Sequence, residues 1–266
     1  MTDSYDPRVS IEGEGNPLVL VPGLNGTGEL FYRQIPSLRQ AYRVATYSFR
    51  DGAAAMDVLT DDLARVIEQV APAEHRAIVV GESFGGAVAL TLALTHPERV
   101  SALVIVNSFP YCDSQVRLRL AIAGLTVMPW KAVGLMRLLL ASRLHSRHTD
   151  RTEVKRFIAL TARATRRGYV NRLKLLRDYD LRHRLHEVGH PTLFLAAEAD
   201  HLVPAVTQAR YMSDRVPASR MRVLEGHGHI CLIAPNVDLA TILAGWPADA
   251  SGQLTAPASL IPAARA

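Results

Sequence analysis

The sequence predicts an α/β fold in which helices flank a mostly parallel central sheet. Three observations support this prediction: short apolar runs typical of strands recur along the chain, helical patterns alternate with them, and several runs are apolar on consecutive residues. Consecutive apolar residues are typical of parallel strands that helices cover on both faces. The alternation therefore favours one parallel sheet with right-handed crossover connections.

The predicted elements follow one another in a regular order until the middle of the chain. Strands are predicted at 17–22, 42–48, 77–82, 102–108, 192–198 and 221–226. Helices are predicted at 56–71, 84–96 and 205–216. The strand pattern stops between about 110 and 187, where helical and strongly basic sequence takes over.

These patterns divide the chain into four parts. Residues 1–109 and 188–246 are predicted to form the N-terminal and C-terminal parts of one α/β core. Residues 110–187 are predicted to form a helical basic cap, inserted after a central strand. Residues 247–266 are predicted to form a flexible Pro/Ala-rich tail. A chain of 266 residues, 48% hydrophobic and 21% charged, fits one such domain with an insertion.

Composition argues against several classes of protein. The first ten residues are polar and acidic where a secretory signal needs basic residues followed by an apolar run, so we expect a cytoplasmic location. The longest apolar candidate, 120–141, is interrupted by Pro129, Lys131 and Arg137, so it predicts two short amphipathic helices and not a membrane span. Cys112 and Cys231 form no metal-binding or redox motif, and no cofactor or metal is predicted.

The segment Gly-Glu-Ser-Phe-Gly at 81–85 lies where a predicted strand meets a predicted helix. In this setting the pattern is typical of a nucleophile elbow, with Ser83 at the corner. The sharp turn requires small neighbours, which Gly81, Gly85 and Gly86 provide. The free N–H groups of the helix N-terminus favour negative charge as it develops near the serine. The alternative is a glycine-rich turn in which Ser83 only caps the helix.

A serine nucleophile needs a histidine base and a carboxylate that orients it. Asp200 follows the fifth predicted strand, and His227 and His229 follow the sixth. Loops at the carboxyl ends of parallel strands are where such sites form. His229 is the preferred base, because Gly226 and Gly228 are expected to leave it exposed on a flexible loop.

Other carboxylates are less suitable as the acid. Glu198 and Glu225 are weaker candidates, since each lies at or next to a strand end. Asp178 and Asp180 fall in the basic segment and are interpreted as local charge partners. Asp200 itself could instead cap a turn or helix, a common role for Asp before a helix.

With these motifs in order, the chain resembles the α/β-hydrolase superfamily over nearly its whole length except the two ends. The matching stretches surround Ser83, Asp200 (198–204) and His229 (225–235). A fourth stretch, 20–31, is similar to the superfamily's oxyanion loop, with Pro-Gly where His-Gly is usual. This variant is similar to a branch that includes bacterial esterase-like proteins and plant phytyl-ester and diacylglycerol acyltransferases.

The resemblance implies an oxyanion hole made by the backbone N–H groups of Phe84 and Leu24, with Asn25 as the alternative second donor. One such donor typically lowers a barrier by about 3 kcal/mol. Phosphate binding is a weaker alternative for this loop, because its glycines do not match phosphate-loop spacing and no Lys-Ser/Thr pair follows.

The resemblance implies a serine hydrolase that cleaves a carboxylic ester with a hydrophobic acyl or alkyl part. An acyltransferase, a thioesterase, or a cofactor-free perhydrolase or haloperoxidase would use the same triad, so these remain alternatives. A non-catalytic ligand-binding protein of the same fold is a further alternative, although no member of the triad is missing.

The predicted cap carries an excess of Lys and Arg, Arg172 among them, within a chain of net charge +5. This charge suits an anionic membrane surface or an acidic acyl carrier, and a merely solvated face is the alternative. Nucleic acid is not predicted as a partner, since no binding motif accompanies the charge. The apolar cap residues are expected either to line an acyl pocket or to pack on the core; they are Leu118, Leu120, Ile122, Leu125, Met128, Trp130, Met136, Leu138, Leu139 and Leu140.

Overall fold

The computed structural model describes residues 9–73, 75–129, 132–134 and 144–246. The predicted tail, 247–266, lies outside the described residues, as do Trp130, Met136 and Leu138–Leu140 of the predicted cap. In the described part of the chain, no helix has the length and apolar character needed to cross a membrane.

A seven-stranded sheet forms the centre of the molecule. Its strands in chain order are β1 Ser10–Glu12, β2 Asn16–Val21, β3 Tyr42–Thr46, β4 Ala77–Glu82, β5 Val100–Val106, β6 Thr192–Ala197 and β7 Ser219–Leu224. Their spatial order is β1-β3-β2-β4-β5-β6-β7. All pairs are parallel except β1 with β3. The predicted fold class is confirmed, and the antiparallel edge strand β1 was missed because three partly exposed residues carry no recognisable pattern.

Eight α-helices are described in the same residues. They are α1 Ile35–Leu38, α2 Met56–Val70, α3 Phe84–Thr95, α4 Gln115–Val127, α5 Arg151–Thr161, α6 Arg166–Leu175, α7 Ala205–Ser213 and α8 Leu239–Ala244. The predicted helices at 56–71, 84–96 and 205–216 correspond to α2, α3 and α7. Of the two short helices predicted within 120–141, the first corresponds to α4, which begins earlier, at Gln115, and ends at Val127. Residues 132–134 are also helical, and the rest of the second predicted helix lies outside the described residues.

Helices cover both faces of the sheet, which explains the runs of consecutive apolar residues. In β2, Val19 and Val21 pack in one apolar cluster, with residues of α2, α3 and α7. Leu18 and Leu20 pack in a second cluster, with residues of α8. Since alternate side chains of a strand point to opposite faces, both sets are buried.

The helices α4, α5 and α6 lie in the chain between β5 and β6, and residues 110–187 are called the insertion below. The insertion is joined to loops of the core by polar contacts. The Tyr32 hydroxyl donates to Glu153 of α5 at 2.5 Å. The Thr165 hydroxyl, which caps α6, donates to Asp51 at 2.6 Å. These contacts fix α5 and α6 over the loops that follow β2 and β3.

Candidate active site

Ser83 lies at the sharp turn between β4 and α3. Its φ and ψ angles are 53° and −118°, a conformation that residues other than glycine rarely adopt. Its backbone N–H donates to the Val106 carbonyl of β5 at 2.8 Å, and the Ser83 carbonyl accepts a hydrogen bond from the Ser108 hydroxyl at 2.6 Å. The neighbouring strand therefore holds the serine in a strained corner.

The three glycines around this corner are needed for close packing, as the sequence predicted. A Cβ atom on Gly81 would lie 2.5 Å from the Gly85 carbonyl oxygen, and one on Gly85 would lie 2.5 Å from that of Pro22. A Cβ atom on Gly86 would lie 2.5 Å from the Ser108 side chain. Any larger residue would force the backbone of the turn to move.

Ser83, His229 and Asp200 meet in a line of hydrogen bonds. His229 Nε2 is 3.0 Å from Ser83 Oγ, and His229 Nδ1 is 2.7 Å from Asp200 Oδ2. The Asp200 side chain is fully buried. Its second oxygen, Oδ1, accepts hydrogen bonds from the backbone N–H groups of Leu202 and Val203 at 2.9 and 3.0 Å. Asp200 thus also stabilises the turn before α7, so the two interpretations of its role are compatible.

His229 is buried, with only 6% of its surface exposed, so the expectation that it is exposed was wrong. The backbone N–H of Ile230 donates to the Leu144 carbonyl of the insertion at 2.8 Å. A Cβ atom on Gly228 would lie 2.8 Å from that same carbonyl oxygen. The Asn107 side chain donates to the His229 carbonyl at 2.7 Å. Gly228 therefore permits close packing of two segments distant in sequence.

The surroundings of His229 shift its pKa in opposite directions. Burial alone would lower the pKa of the imidazole. The hydrogen bond and charge of Asp200, together with the charge of Glu82, outweigh burial and raise it. The arrangement therefore favours the imidazolium form, which is the form that a base takes after accepting a proton.

The other candidates lie elsewhere. His227 is buried against His148, with 5.2 Å between ring centroids, and burial lowers its pKa. Glu198 accepts a hydrogen bond from the Gly226 N–H at 2.9 Å, and Glu225 is exposed. Asp180 pairs with Arg182 at 2.5 Å, as the local charge partner that was predicted.

The predicted oxyanion loop lies against Ser83 and is held by a buried arginine. A Cβ atom on Gly23 would lie 3.6 Å from Ser83 Cβ, and the loop turns through Gly26, whose φ is 77°. From α6, Arg172 Nε donates to the Leu24 carbonyl at 2.8 Å and Nη2 donates to the Asn25 carbonyl at 3.1 Å. With both carbonyls bound to Arg172, the loop has a fixed position. Phe84 is the first residue of α3, so its N–H has no partner within the helix.

Sequence reasoning missed the supporting residues. Arg172 was grouped with the solvated or docking charges of the cap, but it is only 2% exposed. Nothing in its sequence context separates it from the other arginines. Asn107 was also missed, although a polar residue directly after an apolar strand, at the carboxyl end of the sheet, is a usable signal. Besides holding His229, its side chain accepts from the Ala197 N–H of β6 at 2.7 Å.

A cavity of about 130 Å³ opens beside Ser83. Its walls come from the oxyanion loop, from the His229 loop and from Leu144, His145, Phe157, Ile158, Thr161 and Tyr169 of the insertion. The described apolar residues that were expected to form an acyl pocket or to pack do not line it. Leu118 and Leu125 are buried in the core cluster, Ile122 and Met128 pack against that cluster, and Leu120 is exposed.

A larger cavity, of about 570 Å³, lies between the segments 52–57 and 174–184. None of Ser83, Asp200 and His229 lines it, so size alone does not mark the site. In the described residues, no group of three or more His, Cys, Asp or Glu side chains is placed to hold a metal ion.

Comparison with known proteins gives the same fold. The chain is 30% identical to a pimeloyl-[acyl-carrier protein] methyl ester esterase of Aliivibrio fischeri, over 85% of this chain and 91% of the relative. It is 29% identical to RutD of Escherichia coli O157:H7, named as a candidate carbamate hydrolase, over 86% of this chain and 90% of the relative. A solved esterase of Thermogutta terrifontis superposes with a TM-score of 0.79 at 19% identity, covering 90% of this chain and 92% of that chain.

The family described as the alpha/beta hydrolase fold matches residues 16–234, which include β2 to β7 and all three residues of the hydrogen-bonded line. The chain therefore belongs to the α/β-hydrolase family of enzymes, and at the level of that family it is an ester hydrolase.

Proposed function

We propose that this protein is a serine hydrolase that cleaves a carboxylic ester through an acyl-enzyme on Ser83. The observation that carries the proposal is the line of hydrogen bonds from Ser83 through His229 to Asp200, at 3.0 and 2.7 Å, on a strained strand-to-helix turn. These distances suit proton transfer from a serine hydroxyl to an imidazole that a carboxylate orients.

The mechanism follows from these positions. Ser83 Oγ attacks the ester carbonyl while His229 Nε2 takes its proton, and Asp200 holds the imidazole in the required tautomer and stabilises its positive charge. The backbone N–H groups of Phe84 and Leu24 stabilise the oxyanion. His229 returns the proton to the leaving alcohol, and water then cleaves the acyl-enzyme by the same steps in reverse. Because Arg172 binds the Leu24 and Asn25 carbonyls, it positions the second donor.

The insertion acts as a cap in this proposal. It supplies Leu144, Phe157 and Ile158 to a cavity of about 130 Å³, which suits a small hydrophobic acyl or alkyl group. The basic character of the insertion suits an acidic acyl carrier, a partner that the name of the Aliivibrio fischeri relative contains. An anionic membrane surface is the alternative partner. The cytoplasmic location remains a prediction.

Related chemistries use the same triad. An alcohol or a thiol in place of water would make the protein an acyltransferase, and a thioester substrate would make it a thioesterase. Perhydrolysis needs only peroxide as the attacking group. A ligand-binding role without catalysis is the least supported alternative, because the described site retains nucleophile, base and acid within hydrogen-bonding distance.

Hydrolysis of p-nitrophenyl esters from acetyl to palmitoyl tests the proposal. We expect the wild type to hydrolyse the shorter esters and Ser83→Ala to show no turnover, while both unfold at the same temperature within about 2 °C. A matched pair tests the base: His229→Ala should lose at least about 10³-fold in kcat, whereas His227→Ala should lose less than about tenfold.

The outcomes separate the alternatives. Comparable losses in the two histidine variants would contradict the assignment of His229. No turnover of any ester by the folded wild type would contradict the hydrolase proposal and favour an acyltransferase that awaits its acceptor, or a receptor.

A further inference from the structure

Among the described residues that line the cavity beside Ser83, Glu82 is the one with a carboxyl side chain. It directly precedes the nucleophile, is partly buried and lines the cavity. Its Oε2 atom lies 3.7 Å from the position of a Cβ atom built on Gly23, so the carboxyl is next to the oxyanion loop. Its charge helps to raise the pKa of His229, but no step of the proposed mechanism places it against the substrate.

The cavity offers little to balance a negative charge. Its wall is mostly apolar, with Leu24, Leu30, Phe157, Ile158, Leu202 and Ile230. Of the described residues that line it, none is Lys or Arg, although the chain has 30 of these. Besides His229, the one histidine in this wall is His145, and burial lowers its pKa to about 4, so it is uncharged at neutral pH.

A substrate carboxylate in this cavity would lose its water and gain no cationic partner from the described wall. Burying an unpaired charge is unfavourable, and a like charge nearby makes it more so. His229 becomes positive during the reaction, but Asp200 already pairs with it at 2.7 Å. Specificity often comes from such an adverse contact with the wrong ligand.

We propose that Glu82 is a specificity-determining residue, which makes the cavity select esters with uncharged acyl groups over esters whose acyl group carries a carboxylate. This inference rests on the proposed function and narrows its substrate class. Glu82 acts on substrate binding and leaves the roles of Ser83, His229 and Asp200 as described.

Two esters of similar shape isolate the charge: mono-p-nitrophenyl adipate, whose free carboxylate is too far along the chain for ready anhydride closure, and its methyl-capped form, each rate being corrected for hydrolysis without enzyme. For the wild type at pH 8 we expect kcat/KM to be at least about 100-fold lower for the carboxylate ester. In Glu82→Gln this ratio should fall by at least about tenfold. Because the ratio compares two substrates on one enzyme, any change in rate common to both esters cancels.

The pH dependence gives a readout that a purely structural role of Glu82 would not move. Burial raises the pKa of the Glu82 carboxyl, so its charge appears at a higher pH than for an exposed glutamate. In the wild type, discrimination should therefore increase as pH rises through that pKa, and in Glu82→Gln it should not. Glu225→Gln is the matched control, since Glu225 is exposed outside the cavity. In this variant the ratio of kcat/KM for the two esters should equal that of the wild type.

A second variant provides an independent route should Glu82→Gln fold poorly. Leu202 lines the cavity and is 62% exposed, so Leu202→Arg adds a cation at the rim of the cavity. This cation should lower the preference in kcat/KM for the methyl-capped ester over the carboxylate ester by about tenfold. Equal rates for the two esters in the wild type, or an unchanged ratio in a folded Glu82→Gln variant, would overturn the inference and leave the proposed function standing. Hydrolysis of neither ester by the folded wild type would contradict the proposed function, and this inference with it.

Discussion

The core and the insertion are held together in different ways. Strands β2, β4, β5 and β6 are buried between helices, and most of their side chains are 0–5% exposed. In the insertion, α4 and α5 bury two residues each, Leu118 with Leu125 and Phe157 with Thr161. Helix α6 is packed more firmly, with Val170 and Leu173 in the apolar core cluster. Its attachments to the core include Tyr32 with Glu153, Thr165 with Asp51 and Arg163 with Glu29.

This difference separates two parts of the proposed activity. Ser83, Asp200 and His229 all stand on loops at the ends of core strands, where buried apolar packing fixes the backbone. The insertion contributes walls of the cavity, the clamp of Arg172 on the oxyanion loop, and the Leu144 contact with the His229 loop. Damage to the core should therefore abolish chemistry or folding, whereas damage to the insertion should weaken turnover without abolishing it.

The largest effect is expected at Asp200. Asp200→Asn cannot hold His229 in the required tautomer, so kcat should fall about 10³- to 10⁴-fold. The base must be neutral, and Asp200 raises the pKa of His229 against the effect of burial. In the wild type kcat/KM should therefore rise with pH through a midpoint above 6.5, and in Asp200→Asn the midpoint should move to lower pH. Steady-state kinetics from about pH 5 to 9 measure both.

Asp214→Asn is the control for this change, because Asp214 is exposed at the end of α7. It should match the wild type in rate and midpoint. An Asp200→Asn enzyme that kept more than a tenth of the activity would contradict the role of Asp200.

The next effect compares two glycines, one in each region. Gly85→Ala places a Cβ atom against the carbonyl oxygens of Val21 and Pro22, so we expect a loss of roughly 3–5 kcal/mol in the free energy of unfolding. Gly124 lies inside α4 with nothing within 4 Å of a Cβ atom, so Gly124→Ala should stabilise by up to about 1 kcal/mol. Urea unfolding measures both. A tolerated Gly85→Ala would disprove the close packing of the corner.

A smaller effect is expected at the clamp. Arg172→Met leaves the Leu24 and Asn25 carbonyls without this partner, so kcat should fall about 10- to 100-fold and stability by about 2–4 kcal/mol. Arg177→Met, at an exposed position of the insertion, is the matched control. It should change neither kcat nor the free energy of unfolding by more than about a fifth. An Arg172→Met enzyme that lost stability but kept its full kcat would make Arg172 structural only.

The smallest effect concerns the attachment of α5. Glu153→Gln weakens the contacts with Tyr32 and Arg33, and we expect a loss of about 0.5–1 kcal/mol in the free energy of unfolding. Glu187→Gln, whose partner Arg184 lies three residues away, should cost less. If Glu153→Gln matched Glu187→Gln in urea unfolding at low salt, the polar contacts of Glu153 would not be what attaches α5 to the core.

The same contrast explains how far the structure could be predicted from the sequence. Six of the seven strands were predictable. For β2 to β6 the reason is burial, which leaves an apolar run that can be seen locally, whereas the edge strand β7 buries only Leu224 and was predicted from a shorter pattern. Ser83, Asp200 and His229 were predictable as candidates, since each lies on the loop or turn that follows a predicted strand. The burial of His229 was not, because it depends on contacts with Leu144 and Asn107, which lie far away in sequence. Arg172 was missed for the same reason: its partners, the carbonyls of Leu24 and Asn25, are about 150 residues away.

The measurement that tests the central claim most directly is labelling with a fluorophosphonate, followed by peptide mass spectrometry of the folded protein. We expect one label per chain, on the peptide that contains Ser83, and none in Ser83→Ala. Labelling should slow at least about 10³-fold in His229→Ala and stay near the wild-type rate in His227→Ala. A folded wild type that took no label, or took it on another residue, would contradict the assignment of Ser83 as the nucleophile.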